Sequence, residues 1–107
     1  MVTDNKPVAP TDLGGGVSRK VLSYSRNLMA VELHFPAGAV GAKHAHPHEQ
    51  IGYVISGRLL YQEEGSEDKL LQTGDSYYVP PNVVHGVQIL EETKLLDMFT
   101  PMREDFL

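Results

Sequence analysis

HAHPHEQIGYVISG, residues 44–57, holds three of the five histidines of a 107-residue chain and runs straight into β-branched and aromatic residues. A histidine-rich turn leading into a strand-forming segment poses two linked questions: which side chains face the interior, and what they hold there. His44 and His46 are two residues apart, so on an extended segment they point the same way. Two neutral imidazoles on one face suit a divalent transition metal. Pro47 cannot donate to a sheet ladder and marks a strand end or bend. Beyond it the parity is open. Gln50 inside would take Gly52 and Val54 with it. Glu49 inside would take Ile51, Tyr53 and Ile55, the more apolar set, and periodicity leans towards Glu49. IGYVIS (51–56) is nearly all apolar, as for a strand covered on both faces.

Outward from this stretch, turn signals recur at short intervals. GGG (14–16), PAG (36–38), SG (56–57), EEGSED (63–68), TGD (73–75) and PPN (80–82) bracket segments rich in strand formers. Such punctuation indicates an all-β sandwich or barrel. MAVELHF (29–35) alternates, with Met29, Val31, Leu33 and Phe35 on one face and Ala30, Glu32 and His34 on the other. RLLYQ (58–62) and KLLQ (69–72) read as a hairpin whose charged tip, Glu63 to Asp68, is a solvated turn. HGVQIL (85–90) and KLLDMFT (94–100) read as two further strands, the second with Leu95, Asp97 and Phe99 on one face. No stretch has the length and period of a helix. Residues 1–11 are polar, with Pro7 and Pro10, and read as a loose arm; residues 12–107 form one domain.

Composition narrows the function classes. The absence of cysteine excludes disulfides and thiolate metal sites and fits a reducing, cytoplasmic setting. A net charge of -5 repels a phosphate backbone, so no nucleic-acid partner is expected. No apolar run approaches the roughly 18 residues of a membrane span, and MVTDNKPVAP (1–10) does not read as a signal peptide. An anionic small molecule could still bind at a local positive centre. His85, at the start of a strand after PPNVV, is the natural third imidazole. His34, beside Glu32 on a polar face, and His48 read as surface or hydrogen-bonded residues, with support of a ligand as the lesser option for His48.

These residues carry a family resemblance. GAVGAKHAHPHEQIGYVISG (38–57) resembles the first cupin motif, G-x5-H-x-H-x3-4-E-x6-G, and GDSYYVPPNVVHGVQ (74–88) the second, G-x5-P-x-G-x2-H-x3-N. Gly38, His44, His46, Gly57, Gly74, Pro80 and His85 fit the spacing. Gln50 stands in place of the glutamate, Asn82 in place of the glycine and Ile89 in place of the asparagine. Asn82 tolerates a left-handed backbone better than most residues, so the turn should survive. The resemblance implies a single-domain jelly-roll β-barrel, sets Gln50 rather than Glu49 inside, and implies His44, His46, Gln50 and His85 around a divalent metal. A homodimer is also implied.

A narrower resemblance covers most of the chain. DLGGGVSRKVL (12–22), MAVELHFPAGAVGAKHAHPHEQ (29–50) and LLDMFTPMREDFL (95–107) are similar to the pectin-degradation cupins of the KdgF type. That similarity implies a metal-dependent enzyme opening the ring of 4,5-unsaturated monouronates, from pectin or alginate, to linear 5-keto-4-deoxyuronate. It implies a metal held by three histidines and a glutamine, and functional roles for Asp97, Phe99 and Arg103. The metal could be Ni, Zn, Co, Fe or Mn, since imidazole and amide ligands suit all five. The residues themselves are compatible. A carboxylate at Asp97 on an inward face is costly unless paired or used, and Arg103 is a possible pair. Phe99 is core or, at a barrel mouth, a wall against a sugar ring. The Arg103 fork matches a uronate carboxylate, or else lies in a solvated tail. The competing readings are another cupin enzyme, a dioxygenase or sugar isomerase, and a non-catalytic sugar-binding cupin.

Overall fold

Alternating apolar residues between frequent turns satisfy their backbone hydrogen bonds in an antiparallel sheet system. The computed structural model describes every residue, Met1–Leu107. Its strands are β1 (Thr11–Gly14), β2 (Val17–Tyr24), β3 (Met29–Phe35), β4 (Val40–His44), β5 (Glu49–Glu63), β6 (Lys69–Gln72), β7 (Ser76–Val79) and β8 (His85–Thr100). The only helical element is a 3₁₀ turn, Glu104–Phe106. No helix is long and apolar enough to cross a membrane.

The strand order is β1-β2-β3-β8-β5-β6, with β4 also on β8 and β7 also on β5. HGVQIL and KLLDMFT are not two strands. They form one continuous β8, because β5 pairs with it from Glu49↔Thr100 to Glu63↔His85. The second half of β8 lies between β3 and the first half of β5. Its first half lies between β4 and the second half of β5. The ladder is irregular between Val54 and Leu59, where the long pair bends from one face of the barrel to the other. Gly57 sits at this bend with φ +109, and a Cβ there would lie 2.3 Å from Thr93 Oγ1 and 2.4 Å from the Glu92 carbonyl oxygen. A side chain would force the two strands apart.

Phe35, Val54, Leu59, Tyr61, Val79, Val87, Ile89 and Leu95 make the main core, drawn from both halves of β5 and β8. Val54 and Leu59 are fully buried and Leu95 almost so, and burial of such a side chain contributes roughly 1.5–3 kcal/mol. Met29, Val31 and Phe99 form a second cluster beside it.

Two expectations are corrected. IGYVIS is covered on one face only: Gly52 and Val54 point in, while Ile51, Tyr53 and Ile55 are 47%, 42% and 38% exposed. Apolar content therefore misled the parity, and it is Gln50, not Glu49, that is buried. The N-terminal arm is exposed but not loose. Asn5 Nδ2 donates to Glu32 Oε2 at 2.6 Å, Lys20 Nζ donates to Asn5 Oδ1 at 2.9 Å, and Ser23 Oγ donates to Thr3 Oγ1 at 2.9 Å.

Gly65 shares the left-handed backbone (φ +84) but has open space around it. Gly65→Ala is expected to cost about 1–2 kcal/mol, the left-handed strain alone. Gly57→Ala is expected to cost clearly more, because crowding against β8 adds to the strain. Urea unfolding of both variants measures the difference; equal losses would contradict the crowding.

Candidate metal centre

His44 closes β4, His85 opens β8, and the two are paired across the sheet. His46 lies in the short connection from β4 to β5, and Gln50 is the second residue of β5. The loop before His85 is tied to that connection: Asn82, with φ 64, donates its backbone N–H to the His46 carbonyl at 2.8 Å. The left-handed turn thus fixes one histidine loop against the other. Ring centroids are 4.5 Å apart for His44 and His85, 5.0 Å for His46 and His85, and 5.4 Å for His44 and His46. One nitrogen from each ring lies within 4.8 Å of the others.

Backbone carbonyls set the protonation of all three rings. His44 Nδ1 lies 3.0 Å from the Ala42 oxygen, His46 Nδ1 3.1 Å from the His48 oxygen, and His85 Nδ1 2.9 Å from the Val83 oxygen. Only a protonated nitrogen can donate to a carbonyl, so each neutral ring presents the Nε2 lone pair. Burial is the main force holding His46 and His85 below the usual histidine range, which favours the neutral form. His85 Nε2 is buried with no hydrogen-bond partner. His46 Nε2 faces Gln50 Oε1 at 2.9 Å, and in this tautomer both atoms are acceptors. The Gln50 amide also stabilises the charged form of Asp97, which turns its N–H towards that carboxylate and its oxygen towards His46. Two acceptors this close repel unless a cation lies between them. An orphaned Nε2 and a facing acceptor pair fit the donor set of a divalent metal site. The residues that fit it are His44, His46, His85 and Gln50.

Asp97 is 4% exposed, on β8. Its partner across β5 is Gly52, which on its other side faces Tyr77 of β7. A Cβ on Gly52 would sit 2.1 Å from the Tyr77 ring. The missing side chain lets that ring cross β5, so that Tyr77 Oη donates to Asp97 Oδ1 at 3.0 Å. Tyr77 also stacks on Tyr61 at 4.5 Å. Burial, then the neighbouring Asp97 charge, holds the Tyr77 phenol well above its usual range, so it stays a donor. Burial pushes Asp97 up to about 6, against the opposing pull of Tyr77, Gln50, His44 and Arg103. Sequence reasoning missed Tyr77. YY (77–78) on a strand puts one ring in and one out, and only the empty space at Gly52 says which.

Arg103 does not pair with Asp97. Its Nε and Nη2 donate to Asp105 Oδ1 and Oδ2 at 3.1 and 2.9 Å, and its side chain is 11% exposed, so it is not a solvated tail residue. Phe99 is 3% exposed and packs edge-on against both His46 and Phe106, centroids 5.7 Å away in each case. It is a wall behind the imidazole rather than an open stacking face. His48 supplies the carbonyl that orients His46, while its ring stays outside the imidazole cluster. Glu49 is exposed and accepts from Tyr78 Oη at 2.7 Å. His34 lies 3.7 Å from Glu92 at the surface. The cavity bounded by His44, His85, Gln50, Tyr77 and Asp97 is about 80 Å³, room for an ion and one or two waters. A sugar would have to sit at its mouth.

Residues 31–99 match the Cupin domain family. The chain is also 46% identical over 98 residues to the pectin degradation protein KdgF of Dickeya dadantii, covering 90% of this chain and 88% of that protein. The chain is a cupin of the KdgF family. The solved structure of KdgF from Halomonas sp. is 37% identical, with a TM-score of 0.94 over 100% of this cupin and 98% of that chain. An RmlC-like cupin from Shewanella frigidimarina is 40% identical, with a TM-score of 0.94 over 99% of this cupin and 95% of that chain.

Two outcomes follow for chelator-treated protein. Adding Ni²⁺, Zn²⁺ or Co²⁺ should raise the melting temperature of the wild type, since the ion binds only the folded site, and His85→Ala should remove most of that rise. Asp97 keeps its proton in the folded chain up to about pH 6, whereas in the unfolded chain it loses it near pH 4. Stability should therefore fall as pH rises through that window. Asp97→Asn removes this penalty. The variant should match the wild type near pH 4 and exceed it by about 1–3 kcal/mol near pH 7.5. Denaturant unfolding at the two pH values checks this, and a destabilised variant at the higher pH would contradict it.

Proposed function

We propose that this cupin catalyses ring opening of 4,5-unsaturated monouronates, of the kind released from pectin or alginate, to linear 5-keto-4-deoxyuronate. The observation that carries the reading is Asp97. It is a buried carboxylate beside three clustered imidazoles, with a proton affinity raised to about 6. Such a group can both take and return a proton near neutral pH. The name and degree of identity of the Dickeya relative support the substrate class.

The substrate ring contains a hemiacetal and an enol ether. Opening it requires loss of the hemiacetal hydroxyl proton, cleavage of the ring C–O bond, and protonation of carbon 4 so that the released enol becomes a ketone. Asp97 takes the hydroxyl proton and delivers it to carbon, with Tyr77 holding the carboxylate in place. Arg103 binds the uronate carboxylate through its planar fork. Phe99 shapes the pocket and fixes His46 from behind. His44, His46, His85 and Gln50 would hold a divalent ion, whose chemistry is Lewis-acid stabilisation of developing negative charge on substrate oxygen. Gln50 coordinates without bringing charge, so the centre stays near +2 and attracts an anionic sugar more strongly than with a glutamate there.

The test uses unsaturated monouronate made by a pectin lyase and an unsaturated-glycuronyl hydrolase. Loss of its ultraviolet absorbance should accelerate with the metal-loaded protein, slow on chelation, and fall by about 10²–10⁴ in Asp97→Asn. Gln50→Glu should keep the metal and raise KM. Binding without turnover would instead identify a sugar-binding module. Oxygen consumption would identify a dioxygenase.

A further inference from the structure

Residues 103–107 fold back so that two guanidinium groups lie against one ring. Arg19 Cζ lies 3.9 Å from the Phe106 centroid and Arg103 Cζ 4.3 Å from it. Both guanidinium groups are thus within cation–π range of Phe106. Phe106 in turn packs on Phe99, which backs His46.

Asp105 occupies both prongs of Arg103. This is the two-point geometry that a uronate carboxylate needs. The two partners are held unequally: the Arg103 side chain is 11% exposed and that of Asp105 60%. The guanidinium lies against the Phe99 and Phe106 rings, while the carboxylate is open to solvent. Asp105 also borders an open depression of about 480 Å³, with Arg26, His48 and Glu104 on its other sides.

Arg19 supplies somewhere for Asp105 to go. Its Nε is buried and has no hydrogen-bond partner. Arg19 already feels both charges: Asp105 stabilises its cation and Arg103 opposes it. One carboxylate therefore sits within electrostatic reach of two guanidinium groups, hydrogen-bonded to one while the other has a donor to spare.

We propose that Asp105 is a built-in counter-ion that competes with the substrate carboxylate for Arg103, and that it passes to Arg19 when the substrate binds. This rests on the reading that Arg103 takes the uronate carboxylate. The exchange swaps one anion for another on Arg103, so no guanidinium is left unpaired and Asp105 keeps a cationic partner. Asp105 then lowers affinity, and Arg19 offsets part of that by accepting the displaced carboxylate.

The test measures binding of D-galacturonate, a saturated uronate with no ring-opening chemistry, by calorimetry to the metal-loaded protein. Four forms are compared: wild type, Asp105→Asn, Arg19→Gln and the double variant, with Arg19→Lys replacing Arg19→Gln if the latter does not fold. Removing the competitor should tighten binding roughly fivefold, the scale of one exposed ion pair. Arg19→Gln should weaken binding, and the double variant should behave like Asp105→Asn, because Arg19 acts only through Asp105. With the unsaturated substrate the same order should appear in KM. Weaker or unchanged binding in Asp105→Asn, or an Arg19→Gln effect that persists in the double variant, overturns the proposal. Wild type that binds galacturonate in this order but leaves the unsaturated uronate untouched would refute the ring-opening reading alone.

Discussion

The pairing of β5 with β8 is the constraint on which the rest of the molecule depends. The two strands stay hydrogen-bonded from Glu49↔Thr100 to Glu63↔His85. One ladder therefore spans both halves of the barrel and sets the geometry of the site at once. It puts Gln50 opposite Phe99 and Gly52 opposite Asp97, and it brings His85 to the end where β4 delivers His44. A slip of β5 by one residue would turn Gln50 out and put a side chain where Gly52 now lies opposite Asp97. The bend at Gly57 allows so long a pair to exist in a small barrel, because only a residue without a side chain can lie that close to Thr93.

The site combines a histidine cluster with one buried carboxylate. Three backbone carbonyls hold the imidazoles in one tautomer, and an amide supplies the remaining oxygen. The one buried carboxylate, Asp97, is hydrogen-bonded by Tyr77 rather than paired with a cation. That explains why its proton affinity is raised: burial outweighs the stabilisation of its charged form by Tyr77 and Gln50. The cation that could have neutralised it, Arg103, is engaged elsewhere by Asp105. Asp97 and Arg103 are thus distinct groups, one buried without a cationic partner and one already paired.

Much of this was legible in the sequence, for identifiable reasons. β3 was readable to the residue because its alternation matches a sheet with one face on the core. The hairpin of β5 and β6 was readable from its polar tip. His44 and His46 follow from parity, and His85 from its place after PPN. The parity of β5 was not readable from apolarity, because its outer face carries Ile51, Tyr53 and Ile55 while its inner face carries Gln50 and Gly52. The family spacing resolved what hydrophobicity had inverted. HGVQIL and KLLDMFT read as two strands for a related reason: Glu91, Glu92 and Thr93 break the apolar run, but β8 continues through them, paired with β5 at Glu91 and again at Lys94.

The sequence by itself determined an all-β chain, three imidazoles at cupin spacing, and a short set of polar residues able to serve them. These are local properties, carried by alternation and by residues near one another in the chain. Only the tertiary structure decided what each group touches. Tyr77 reaches Asp97 because Gly52 lies between them in the sheet, and Asp105 takes Arg103 while Arg19 closes on Phe106 from a strand some 85 residues earlier. Such contacts depend on the absence of a side chain or on the return of a distant strand. Neither leaves a periodic trace in the sequence, since the physical cause is the space and charge that other strands bring to the same point.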